Sequence, residues 1–167
     1  VAIPAAGKLL GGGIGRSEAE LRLLEAVRAD GSIYTSTNGT VTIRFSLKRE
    51  EKITRVKSLL DACGVLFTCG PKSGKPDATL IRLLKHETCD WIKEFLGTGK
   101  SKAYSSKILE LSQSEREVLL DEIRYWDASQ RPEGYGKTSG NKQTSVSTAK
   151  RDEAGWLQTL SVISGRS

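Results

Sequence analysis

Residues 17–33 read SEAELRLLEAVRADGSI, and the fold follows from this stretch. Ser17 is followed three residues later by Glu20, the spacing of a capping box, in which each side chain satisfies a free backbone N–H of the other's turn. The run from Ser17 to Asp30 predicts a helix with Leu23, Ala26 and Ala29 along one face. Gly31 stands where a left-handed residue closes a helix, and residues 32–36 begin a strand. Asn38-Gly39 is a hairpin turn signal. Beyond it residues 40–47, TVTIRFSL, alternate: Val41, Ile43, Phe45 and Leu47 point to a core, while Thr40, Thr42, Arg44 and Ser46 point away.

Working outward, Ile53, Val56, Leu60 and Cys63 predict a second helix over 49–62. Strands follow at 65–69 and 78–84 around a loop, GPKSGKPD, and residues 88–96, TCDWIKEFL, form a third helix with Trp91, Ile92, Phe95 and Leu96 apolar. The order is helix, two strands, helix, two strands, helix. Before it, residues 1–15 read as an arm or linker, because Gly11, Gly12 and Gly13 have little reason to pack. Residues 97–111 read as a polar connection. The pattern then restarts over 114–127 with its own capping box, Ser114 and Glu117, and an apolar-striped helix at 151–163 carries Trp156, Leu157, Leu160 and Ile163. Between these two helices, 131–149 holds turn formers and plausible strands.

Laid over each other, the two halves coincide at several positions. Ser17 falls on Ser114, Glu20 on Glu117, Leu23 on Leu120, Ala26 on Ile123, Asp30 on Asp127 and Ser32 on Ser129. Each helix ends in an aspartate, where the carbonyl end of the helix dipole disfavours an acid by about 0.3–1 kcal/mol. Helices packed on their apolar stripes would bring Asp30 and Asp127 together. Two close carboxylates ask for a compensating cation, and oxygen ligands suit a hard ion such as magnesium. The plainer reading is two exposed, turn-forming aspartates.

Composition narrows the class. The chain has 167 residues, 37% hydrophobic and 28% charged, with no apolar run long enough to cross a membrane. The absence of methionine suggests a piece of a longer polypeptide, or a processed form. Three cysteines without a C-x-x-C pair argue against a disulfide scaffold and for a reducing compartment. The net charge of +6 admits a nucleic-acid partner, and basic stretches at 44–57 and 131–151 suit a surface that follows phosphates. Ordinary solvated faces would give the same charge count.

The residues Leu23-Leu24-Glu25-Ala26-Val27-Arg28-Ala29-Asp30-Gly31-Ser32-Ile33 resemble the signature helix of the LAGLIDADG homing endonucleases. Phe45-Ser46-Leu47-Lys48 and Lys52-Ile53 through Leu59-Leu60 are similar to that family's next strand and helix. A second copy runs from Leu119 to Ser129, with Ser147-Thr148-Ala149-Lys150 and Trp156 to Leu160 after it. The resemblance implies an α+β fold of two pseudo-symmetric αββαββα halves, with antiparallel sheets lying on double-stranded DNA. It implies a monomeric, site-specific endonuclease that hydrolyses phosphodiester bonds with Mg2+, or another divalent ion such as Mn2+, held by Asp30 and Asp127. A DNA-binding or maturase-like protein that kept the saddle and lost catalysis is the alternative. An intein setting is compatible with either, as is the cytoplasm of a prokaryotic or phage-infected cell, or the nucleus or an organelle of a eukaryotic one. Glu25 and Glu122 depart from the pattern, since the motif has a small residue there for close helix crossing, and Ala128 replaces the final glycine.

The expected division is an arm at 1–15, a first half at 16–100, a connection at 101–113 and a second half at 114–167. Trp91 lies so far beyond Asp30 that the same spacing from Asp127 runs past Ser167, so the second half reads as reduced or cut short. Arg44 is placed on the outward strand face, and Lys48, Arg131, Lys137 and Lys142 are further candidates for DNA contacts. His86 has no Cys or His at ligand spacing, and Cys63, Cys69 and Cys89 read as small core residues. Gly11-Gly12-Gly13-Ile14-Gly15 lacks the Lys-Ser/Thr of a phosphate loop.

Overall fold

A computed structural model describes residues 11–96, 102–127 and 151–165. The first half has the expected order: α1 (Glu18–Asp30), β1 (Gly31–Thr35), β2 (Val41–Leu47), α2 (Glu50–Ala62), β3 (Phe67–Lys72), β4 (Lys75–Leu83) and α3 (Glu87–Leu96). A 3-10 turn at Ser106–Glu110 leads into α4 (Gln113–Asp127), and α5 spans Arg151–Ile163. The plausible strands of 131–149 lie outside the described residues.

The four strands form one antiparallel sheet in the order β1-β2-β4-β3. Helices α1, α2 and α3 pack on one face of it. There Ile43, Phe45 and Ile81 are wholly buried, together with Leu23, Leu24, Val56, Leu60 and Ile92. The strict alternation of β2 produces this one-sided core, because a strand presents successive side chains to opposite faces.

The capping box of α1 forms as expected, with Ser17 Oγ accepting from the Glu20 N–H and Glu20 accepting from the Ser17 N–H. Its burial exceeds the expected stripe. Leu21, Leu23, Leu24, Ala26 and Val27 are all buried, because the sheet covers one side of α1 and α4 covers another. Gly31 differs from expectation. Its backbone is extended (φ −80°), not left-handed. A Cβ at that position would stand 2.7 Å from Val27 Cα, so glycine is required for close approach of strand to helix. The Asn38-Gly39 turn does use positive φ, at +82° for Gly39.

Three other expectations are corrected. GPKSGKPD is not a loop: β3 runs to Lys72, β4 starts at Lys75, and only Ser73 and Gly74 turn the chain. Pro71 is tolerated because β3 is an edge strand. The capping box of α4 is Ser112 with Glu115, not Ser114 with Glu117: the Ser112 N–H donates to Glu115 at 2.8 Å and the Glu115 N–H to Ser112 Oγ at 3.3 Å. The polar connection contributes to the core through Tyr104, Ile108 and Leu111.

The glycine-rich arm is docked where it is described. The Gly13 N–H donates to the Glu110 carbonyl at 2.9 Å, and the N–H groups of Ile14 and Gly15 donate to Glu115. A Cβ on Gly11 would lie 2.2 Å from the Leu111 carbonyl oxygen, so this glycine does have a packing reason.

Candidate nucleic-acid interface and helix-end site

The sheet face opposite the three helices carries the polar half of the β2 alternation, Thr42, Arg44 and Ser46, with Arg82 and Leu80 of β4 beside them. Strand pairing sets Ser32 beside Arg44, Arg44 beside Arg82, and Arg82 beside Thr68, a polar row across all four strands. Like charges directly opposite on neighbouring strands destabilise a sheet. Arg44 is fixed, its guanidinium lying 4.8 Å from the centroid of the Tyr34 ring. Its Nε is buried without a hydrogen-bond partner among the described residues. Arg82 is exposed. Nearby, Lys72 Nζ donates to Ser46 Oγ at 3.0 Å. Arg44 therefore sits where the alternation placed it, and Arg82 is a neighbour that the sequence reading missed, because only the β2–β4 register brings the two together. Lys48 is exposed and ion-paired with Asp77, and its hydrogen bond holds the Asp77 carboxyl below the usual range. Arg131, Lys137 and Lys142 lie outside the described residues.

The second feature is the junction of α1 and α4, which pack together. Glu115, in the first turn of α4, accepts from Ile14 and Gly15, just before α1 begins. At the other end, Lys52 of α2 donates to Asp30 Oδ2 at 2.6 Å and lies 5.0 Å from the centroid of the Trp126 ring. Asp30 ends α1 and Trp126 is the penultimate residue of α4, so the helices run parallel with their C-terminal ends converging on Lys52. Lys102 reaches the same end: its Nζ donates to the carbonyls of Val27 (3.1 Å) and Gly31 (2.5 Å), where α1 passes into β1. Neither lysine was legible as a partner of this site, since each reaches it from a distant segment.

Glu25 and Glu122, the two departures from small residues, are fully buried. Glu25 accepts from Arg28 at 2.6–3.0 Å and from the Tyr104 hydroxyl. Burial, with Glu25's charge next in weight, pushes the Tyr104 phenol well above its ordinary value. Glu122 accepts from Arg22 of α1 (2.8 Å), Arg55 of α2 (2.5 Å) and Trp126 Nε1 (2.9 Å). Burial alone would raise its carboxyl, but the bonds from Arg55, Arg22 and Trp126 outweigh that and hold it below the usual range.

Asp127 closes α4, and its side chain lies outside what the structure describes. Asp30 is already bonded to an ammonium group, and among the described residues no three His, Cys, Asp or Glu side chains gather to hold a metal ion. The described donors therefore do not fit a divalent ion as they stand. His86 instead serves the start of α3, its Nδ1 accepting the Thr88 N–H at 3.2 Å. Cys89 is buried and Cys63 half-buried, its thiol pushed up to about 11 by burial first and then by Glu20. Cys69 departs from the core reading, being exposed on the edge strand.

No family model matches the sequence, and no curated protein does. Solved structures do match. The structure of I-DmoI in complex with DNA and Mn has 14% sequence identity and a TM-score of 0.46, with 68% of this chain and 63% of that chain covered. I-DmoI in complex with DNA and Ca gives 12%, 0.47, 68% and 59%. Mesophilic variants from the homing endonuclease I-DmoI give 12%, 0.47, 68% and 63%. The chain thus spans less than two thirds of these proteins' length. At TM-scores below 0.5 the likeness adds nothing to what the chain's own geometry supports.

Proposed function

We propose that this protein binds double-stranded DNA across the sheet face opposite α1, α2 and α3. The observation that carries the proposal is the register of Arg44 with Arg82. Two guanidinium groups facing each other repel unless an anion lies between or over them, and guanidinium forks match phosphate and base-edge acceptors. Stacking on Tyr34 pre-orders Arg44, so less side-chain freedom is given up when DNA binds. The test is fluorescence anisotropy with duplex DNA over a range of salt concentrations, comparing the wild type with Arg44→Ala/Arg82→Ala. Affinity falls in the double variant, and if both groups neutralise phosphates the salt slope shrinks by about 0.9 for each phosphate left without its arginine. Unchanged affinity, or only weak and salt-labile association by the wild type, overturns the proposal.

A second reading is favoured by the parallel packing of α1 and α4, each ending in aspartate. In it the protein is an endonuclease that hydrolyses phosphodiester bonds, with a divalent ion, Mg2+ or Mn2+, at Asp30 and Asp127. Asp30→Asn and Asp127→Asn each abolish cleavage of a cognate duplex with DNA binding kept. Cleavage retained by either variant sinks this reading and leaves DNA binding without catalysis.

A further inference from the structure

We infer that Lys52 is the resident cation of the helix-end site, bound to Asp30 in place of a divalent ion, so that Lys52 and metal exclude each other there. The placement of the two residues explains itself only as a pair. Asp30 lies at the carbonyl end of α1, where the helix dipole disfavours an acid. Lys52 lies in the first turn of α2, where the dipole disfavours a cation and where Glu50 and Glu51 are the well-placed residues. Each is misplaced on its own helix and well placed on the other's: the ammonium faces the end of α1 and the carboxylate faces the start of α2. The bond is 2.6 Å long and partly shielded, with side-chain exposures of 19% for Lys52 and 34% for Asp30. Trp126 of α4 supplies a further hold, its ring 5.0 Å from Nζ.

A divalent ion on Asp30 Oδ2 would stand about 2.0–2.6 Å from that oxygen, in the space that Nζ takes. It would also repel the ammonium at a separation where partly buried charges are poorly screened. Metal binding at Asp30 Oδ2 therefore requires Lys52 to leave that oxygen. This goes beyond DNA binding by the sheet face and does not depend on it, because the ion pair and its test involve no DNA.

The experiment is titration of the full chain with Mn2+ alone, the free ion being read by electron paramagnetic resonance. Lys52→Met is expected to bind Mn2+ at least about tenfold more tightly than the wild type, and Lys52→Arg, which keeps the charge and the aromatic contact, to bind as weakly as the wild type. The gain disappears in Lys52→Met/Asp30→Asn. If Lys52→Met does not fold, Lys52→Gln, which keeps a hydrogen bond without the charge, is read in the same way. Equal affinity of the wild type and the neutral variant overturns the inference, and so does a gain that survives Asp30→Asn.

Discussion

Glu25 and Glu122 hold matching positions on α1 and α4, and both are fully buried, yet the chain satisfies them in different ways. Glu25 is served by its own helix, through Arg28, and by Tyr104 from the connecting segment. Glu122 is served by two other helices, through Arg22 of α1 and Arg55 of α2, as well as by Trp126 one turn on. The partners differ in exposure as well. Arg28 is 2% exposed, whereas the side chains of Arg22 and Arg55 are 22% and 33% exposed. A buried acid between packed helices thus has two roles here. In α1 it completes a buried cluster, and in α4 it joins that helix to the first half. A small residue at either position would permit closer crossing and would forgo these bonds.

The largest effect should come from breaking the buried Glu25 cluster. Glu25→Ala removes the carboxylate that Arg28 and Tyr104 share in a buried cluster, and taking one member from a buried ion pair costs about 3–5 kcal/mol. Glu122→Ala leaves Arg22 its ion pair with Glu18 and lets the part-exposed Arg55 turn toward water, so its cost falls nearer the loss of charged hydrogen bonds, about 1.5–3 kcal/mol. Urea unfolding of the two variants beside the wild type checks the order. Equal losses would show that partner exposure does not govern the difference.

The same comparison has a pH form. Glu122's carboxyl is lowered in the fold, so its contribution is fully present above the unfolded value of about 4.3 and is lost as pH falls through the lower folded value. The Tyr104 phenol, which donates to Glu25, is raised, so its contribution is fully present below the unfolded value of about 10 and is lost as pH rises through the folded value. The α4 site therefore fails in acid and the Tyr104 end of the α1 cluster in alkali. Thermal melts across pH should show a shallower acid limb in Glu122→Gln and a shallower alkaline limb in Tyr104→Phe. A change on the opposite limb in either variant breaks the assignment.

What the sequence made legible was whatever is written in local chemistry. The Ser17–Glu20 box, the alternation of TVTIRFSL and the Asn38-Gly39 turn each fix structure within a few residues, and the first half follows from them. The hairpin of β3 and β4 was hidden because Gly70, Pro71, Gly74 and Pro76 carry the composition of a loop, while edge position and strand pairing override that composition. The candidate site was legible only in its anchors. Asp30 and Arg44 could be named from pattern, but Lys52, Lys102 and Arg82 meet them through long-range packing or strand register that no local period encodes. Glu25 and Glu122 stood out as departures, yet their partners Tyr104 and Arg55 come from distant segments.

The smallest effects lie at the N-terminal ends of the same two helices. Ser17→Ala and Ser112→Ala each remove a cap, at about 1 kcal/mol apiece. The boxes differ in what their glutamates reach. Glu20 serves Ser17 and Arg16 beside it, whereas Glu115 also accepts from the N–H groups of Ile14 and Gly15 and so holds the incoming chain against α4. For Glu115, burial alone would raise the carboxyl, but the Ser112 and Ile14 N–H groups outweigh it and keep it below the usual range. Glu115→Gln should therefore speed hydrogen exchange at the Ile14 and Gly15 amides, with α1 itself still formed. Glu20→Gln should leave those two amides protected, because their acceptor belongs to α4 and not to the helix they precede.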